Sequence, residues 1–262
     1  MKAYELTSWL EKKYPADAAE DWDNVGLLTG DDTNEISHVF LALDLTEETL
    51  AEAIEDGADM IITHHPMIFS GIKKINNHSF TGRKIIKLIR NEIVYYAMHT
   101  NYDVLGMAKL AGDILELEEQ EVLEASYFES DEPEGIGRVG VLSRPMNLQE
   151  CCDFVKEKLK LEHVKVFGDV SSDQTYQRLA VSPGSGKSMI GAALEKQAQV
   201  LVTGDIDHHA GIDAVAQGVA IIDAGHYGTE YIFMEDVKTF LEEKTRGIEI
   251  KTEMIEQPFH IL

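Results

Sequence analysis

Ile61-Ile62-Thr63-His64-His65-Pro66 sets two adjacent imidazoles at the end of an apolar run, and the proline stops that run. A short apolar segment bounded by a breaker reads as a buried parallel strand. Open α/β sheets gather their ligands at the carboxyl ends of such strands. On a regular strand the two rings would point to opposite faces, whereas at its end, where the chain turns, both can converge on one centre. A third imidazole, His99, follows the apolar stretch Ile93 to Met98 and precedes Asp103 by four residues. The spacing returns in Asp223-Ala224-Gly225-His226-Tyr227-Gly228-Thr229-Glu230, where Glu230 lies four beyond His226. A histidine and a carboxylate so spaced share one face when the second sits in a first helical turn. Neutral imidazole and carboxylate together suit zinc, manganese, iron or nickel, and a carboxylate can bridge two ions. The plainer alternative makes one of His64 and His65 a turn cap and Glu230 an ordinary acid at a helix start. Four strand ends carrying histidine, with carboxylates in step, are harder to explain as packing, so the reading is a metal site.

Two further motifs compete for chemistry. Gly184-Ser185-Gly186-Lys187-Ser188 imitates a phosphate loop, but Val181 stands where the full pattern needs glycine. It reads as a strand-to-helix turn with Ser188 as cap. Asp205-Ile206-Asp207-His208-His209 is either a second ligand cluster or substrate-contacting turn, or a polar loop in which one carboxylate caps the next helix. His99 and His209 are the candidate catalytic groups, since imidazole can move protons near physiological pH. His38, His78, His163 and His260 lack carboxylate company at strand ends and default to solvated or packing roles. Trp22-Asp23, on physics alone, is a structured turn.

The elements that must position these residues alternate. Strands at Val39 to Leu43, Met60 to Ile62 and Ile93 to Met98 are separated by helices, and Thr46 is the expected cap of the first of these. A second series runs through Arg138 to Leu142, His163 to Phe167, Arg178 to Val181, Val200 to Thr203 and Val219 to Ile222. The pattern predicts an α/β fold of two similar lobes, with mainly parallel sheets flanked by helices and the metal site in the cleft between them. The expected lobes are residues 1–125 and 126–262, with the final segment able to return to the first. Between them, residues 129–137 read as a loop or linker. The halves resemble each other: Leu41 to Asp44, a helix, Ile61 to Thr63 and His64-His65 match Leu179 to Ser182, a helix, Leu201 to Thr203 and His208-His209.

Bulk properties narrow the classes. With 23 basic and 47 acidic residues the formal charge is −24. Such a field repels nucleic acid and anionic membrane, because both demand Lys and Arg against phosphate. A polyanionic small molecule would need a local positive centre, such as a metal, to be held here. The start Met1-Lys2-Ala3-Tyr4-Glu5-Leu6 has no apolar core of a secretory signal, and no run approaches a membrane span. Cys151 and Cys152, adjacent and alone, make no disulfide framework, so a reducing cytoplasm is expected.

The blocks Trp22-Asp23-Asn24-Val25-Gly26-Leu27, Asp44-Leu45-Thr46, Thr63-His64-His65-Pro66, His99-Thr100-Asn101-Tyr102-Asp103 and Asp223 to Glu230 together resemble the Nif-three-like family. Its members carry the name GTP cyclohydrolase 1 type 2 or its homologues. The resemblance covers essentially the whole chain, in the short form without an inserted middle domain. It implies a two-lobed subunit, a toroidal homohexamer and a dinuclear metal site facing its cavity. By motif the ligands to two divalent ions would be His64, His65, Asp103, His226 and Glu230, with Glu230 bridging and His99 beside them. A metal-dependent hydrolase acting on GTP is one implied function. A phosphoester hydrolase, or a non-catalytic metal-binding assembly, would use the same residues.

Overall fold

The computed structural model describes residues 1–129 and 132–260. In chain order α1 (Ala3–Lys13), β1 (Gly26–Thr29), β2 (His38–Ala42), α2 (Glu47–Glu55) and β3 (Met60–Thr63) come first. They lead to α3 (Phe80–Arg90), β4 (Val94–Ala97) and the short α4 (Thr100–Tyr102). A π turn (Asp103–Met107) passes into α5 (Ala108–Ile114), then β5 (Glu118–Tyr127), β6 (Glu134–Asn147) and α6 (Leu148–Lys158). Next are β7 (Lys165–Phe167), β8 (Thr175–Ser185), α7 (Ile190–Glu195), β9 (Val200–Gly204) and α8 (His208–Ala216). The last elements are β10 (Ala220–Asp223), α9 (His226–Glu230), α10 (Ile232–Lys244) and β11 (Glu249–Thr252). This is an α/β protein with two sheets flanked by helices. Two compact units result: Met1–Tyr102 with Phe233–Glu256, and Asp103–Ile232 with Gln257–Leu262. Among the described residues no helix is long and apolar enough to cross a membrane.

In the first unit the sheet order is β1-β4-β3-β2-β11, parallel except for β1 at the edge. The inner strands β3 and β4 are buried at every position and β2 at all but His38, as expected of a parallel sheet covered on both faces. On one face Phe40, Ile61 and Tyr95 pack with Leu50 and Ala53 of α2 and Leu88 of α3. Ile61 is completely buried, a burial that contributes about 1.5–3 kcal/mol. α2 starts where expected, with the Thr46 hydroxyl accepting from the amide of Thr49 at 2.9 Å. Around Tyr14, the rings of Tyr102 and Phe240 lie 4.9 and 6.3 Å away by centroid, closing the opposite side.

The turn after β3 is tied by one phenol. The Tyr95 hydroxyl lies 2.8 Å from the Thr63 hydroxyl, accepts from the amide of Met67 at 2.8 Å and donates to the His65 carbonyl at 3.1 Å. Burial pushes this phenol up to about 12, so it stays protonated and keeps its donor. At the other end of the sheet, Asp59 holds the start of β2. One carboxylate oxygen accepts from the Ser37 amide and hydroxyl, each at 2.7 Å, and from the His38 amide at 2.9 Å.

In the second unit the order is β5-β6-β8-β9-β10-β7. Only β8-β9-β10 are parallel; β5, β6 and β7 pair antiparallel. Here the sheet departs from the mainly parallel expectation: the acidic run forms β5, and Glu134 to Gly137, the end of the stretch read as a linker, open β6, which pairs antiparallel with it. The reason is visible at Gly135: a Cβ there would sit 2.0 Å from the carbonyl oxygen of Glu124. Glycine in this stretch permits close strand approach, not a flexible connection. Residues 130 and 131 of the predicted loop lie outside the described residues. The core gathers Leu123, Val139, Ala180, Leu201 and Ile221 with Ala193 of α7 and Ala214 of α8. The parallel trio β2-β3-β4 of the first unit thus has a topological counterpart in β8-β9-β10.

Removing the knot in Tyr95→Phe takes away the acceptor of the Met67 amide and leaves the His65 carbonyl with the Thr63 hydroxyl as its donor. It should lower stability by about 1–3 kcal/mol in urea denaturation, and an unchanged midpoint would dismiss the role given to the phenol. Asp59 makes a pH-dependent contribution. Its burial works against ionisation, but the Ser37 and His38 donors outweigh that and hold it below the ordinary 3.8. A depressed folded value means stability present above the unfolded value and lost as pH falls through the folded one. Asp59→Asn should therefore be less stable than the parent at neutral pH, with the gap closing below about pH 4. A gap independent of pH would contradict this.

Candidate metal centre

In the first unit, the ends of β3 and β4 deliver three imidazoles. The His64 Nδ1 lies 2.8 Å from the Met98 carbonyl, and the Met98 amide donates to the Thr63 carbonyl at 2.9 Å, extending the β3–β4 ladder by one rung. The His65 Nδ1 meets Asp44 Oδ1 at 2.9 Å. That pairing follows from register: Ala42 is opposite Thr63, so two residues further Asp44 is opposite His65. The His99 Nδ1 meets Asp23 Oδ1 at 2.8 Å, while Asp23 Oδ2 accepts from the amide and hydroxyl of Thr100 at 2.9 and 2.5 Å. Burial of Asp23 opposes its charge, yet His99 and Thr100 prevail and bring it down to about 2. Ring centroids are 4.9 Å apart for His64 and His65, 5.3 Å for His64 and His99, and 5.5 Å for His65 and His99. One nitrogen from each ring lies within 4.8 Å of the others. With an acceptor at each Nδ1, the hydrogen-bond pattern assigns the proton there and leaves the lone pair on Nε2.

In the second unit, β10 ends at Asp223 and Gly225 turns the chain with φ +78° to open α9 at His226. The His226 Nε2 lies 3.0 Å from Glu230 Oε2 and its Nδ1 2.7 Å from Asp205 Oδ2. Asp205 has φ +58°, a left-handed conformation that a short polar side chain tolerates. Asp223 holds this turn by accepting from the Ile206 amide at 3.0 Å and pairing with Lys165 at 2.7 Å. Burial lowers the charge affinity of His226, but Glu230 and Asp205 overcome it and lift the imidazole to about 9. The ring thus faces a carboxylate oxygen at each of its nitrogens and compensates both. Glu230 is 4% exposed, and a buried carboxylate requires such compensation. Gly184 backs it closely: a Cβ there would lie 2.1 Å from Glu230 Oε1. Nitrogen and oxygen donors, oriented and partly buried, fit a borderline divalent ion.

The predicted residues therefore fall into groups. His64, His65 and His99 converge within the first unit, and His226 meets Glu230 within the second. Asp103 opens the π turn that follows α4, an irregularity common at functional sites. His208 and His209 are not at a strand end as expected; they occupy the exposed first turn of α8, ring centroids 5.2 Å apart. Asp207 caps that helix, accepting from the Ala210 amide at 3.0 Å, while Lys187 pairs with it at 2.7 Å. Ser188 is no cap; it lies inside a single 3-10 turn, and the phosphate-loop glycine Gly184 serves contact with Glu230. Sequence reasoning missed Asp23, Asp44 and Asp205 as partners of Nδ1. Register offered a signal for two of them: parallel neighbours place Asp44 opposite His65, and Asp223 opposite Thr203 puts Asp205 beside Gly225.

The chain as a whole is similar to known proteins. Residues 1–258 match the family model Duf34/NIF3 (NGG1p interacting factor 3). A Clostridium acetobutylicum protein named GTP cyclohydrolase 1 type 2 homolog is 37% identical over 233 residues, 88% of this chain and 86% of that protein. A Streptococcus pneumoniae protein of the same name is 34% identical over 99% of both chains. Among solved structures, the Bacillus cereus protein related to NIF3 superposes with a TM-score of 0.90 at 25% identity, covering 100% of this chain and 99% of that one. Reduced HcgD from Methanocaldococcus jannaschii gives 0.82 at 30% identity, with 96% and 97% covered. Matched from its first residue almost to its last, in sequence and in fold, this chain belongs to the DUF34/NIF3 family.

Proposed function

We propose that this protein is a metal-dependent hydrolase holding two divalent ions through His64, His65, Asp103, His226 and Glu230, with Glu230 bridging. The observation that carries the reading is the common posture of the imidazoles: each Nδ1 is occupied by a carboxylate or carbonyl. Such partners orient a ligating ring and raise its basicity. Divalent ions in this donor set would polarise a substrate and make water acidic enough to ionise near neutral pH. His99, fixed by Asp23, takes or returns a proton at Nε2, and His209 is the second candidate for proton transfer. The name carried by the relatives supports GTP as substrate, its C8 leaving as formate when water opens the imidazole ring. The ions would also offset the chain's negative field for a triphosphate. The same clamp suits a phosphoester, so a panel of mono- and diesters belongs in the same assay. We extend the reading to a cytoplasmic homohexamer, which light scattering on the purified protein tests.

Elemental analysis of the protein as purified should give two divalent metal equivalents per chain, reduced in Glu230→Gln. Incubation of the loaded protein with GTP should release formate and a fluorescent pterin. A chain devoid of metal after reconstitution would end the proposal, while metal without turnover on GTP or phosphoesters would leave a non-catalytic binder. Asp44→Ala removes the partner of the His65 Nδ1 from an exposed position. It should weaken metal binding by about 10–100-fold in a chelator competition, and an unaltered affinity would refute the orienting role.

A further inference from the structure

Two large aromatic side chains stand in solvent beside the imidazole cluster. Trp22 is 56% exposed and Phe69 55%. Their ring centroids lie 5.6 Å apart at 35°. Both meet His99 edge-on, at 5.9 and 6.2 Å. Singly exposed apolar residues are ordinary, but this pair is held in place by its neighbours. Asp23, next to Trp22, binds the His99 ring, and the Asn24 side-chain amide donates to the Ile68 carbonyl at 2.6 Å. Three consecutive residues thus present one ring, fix the imidazole it leans on, and clamp the loop that carries the other ring.

A flat π surface favours a flat π partner, because offset stacking adds to area burial and tolerates any base. The Phe69 loop continues to Lys73 and Lys74, both exposed, a local pair of positive charges in a chain of net charge −24. The ring-bearing ligand that suits both features is anionic. We propose that Trp22 and Phe69 form the stacking subsite for a planar heteroaromatic ring of the substrate, the base of a nucleotide, and seat that ring against His99. This rests on the reading of His99 and its neighbours as the reaction centre.

The test separates the two. The chain has two tryptophans, so Trp9→Phe leaves Trp22 as the sole indole emitter. Guanosine, which has a base and no phosphate, should quench that emission to saturation, and ribose 5-phosphate should not. Phe69→Ala should weaken the guanosine response roughly tenfold with metal content unchanged, and Trp22→Leu should raise KM for the nucleotide with metal content unchanged. Emission insensitive to guanosine in fully metallated protein would overturn the stacking subsite while leaving the metal centre intact. Quenching in a chain that binds no metal would uphold the subsite and reject the centre. If Phe69→Ala left the guanosine response unaltered but changed the mass in solution, the aromatic pair would be a contact between copies and the proposal would fail.

Discussion

An imidazole has two nitrogens, and this fold fixes the role of one in each ring that the chemistry requires. Met98 carbonyl, Asp44, Asp23 and Asp205 face the Nδ1 atoms of His64, His65, His99 and His226. Much of the surrounding structure serves those four contacts. β4 must align with β3 for the Met98 carbonyl to face His64, and β2 must end in step with β3 for Asp44 to reach His65. Residue 205 must adopt a left-handed backbone for its carboxylate to turn toward His226. A neutral ring with a defined proton is a ligand or a base, whereas a freely rotating one is neither reliably.

The strand ends were readable in advance because a chain that must bury both faces of a parallel sheet leaves an unbroken apolar run, and polar residues then mark where it stops. His64, His65, His99 and His226 stood out for that reason. Asp23 did not, since its partner lies 76 residues away and a short turn with one acid carries no periodic signal. The β5–β6 hairpin was obscure for another reason. In β5 only Leu123 is buried, so hydrophobic alternation is faint, and the glycines of β6 mimic a linker. The similarity of the halves was legible as strand order but not as side chains. β9 leads to Asp205, whereas β3 leads directly to His64 and His65, and the second histidine pair was carried onto a helix instead.

The contrast between the glycine motif and its use is instructive about motifs generally. Gly184-Ser185-Gly186 looked like a cradle for phosphate, yet the missing side chain at 184 makes room for a carboxylate of the same unit. The physical requirement, backbone brought within contact of an oxygen, is the same in both cases. Only the owner of the oxygen differs.

The outermost strand of the second sheet, β5, carries the exposed Glu118, Glu119 and Glu124 along the sheet edge, while Glu121 is paired with Arg178 and Lys196. An unprotected edge invites a strand from another molecule. A row of carboxylates makes such an approach electrostatically costly, and raising ionic strength or lowering pH would weaken that barrier. The acidity of this segment thus reads as protection against fibril-like association, a demand of solubility unconnected with catalysis.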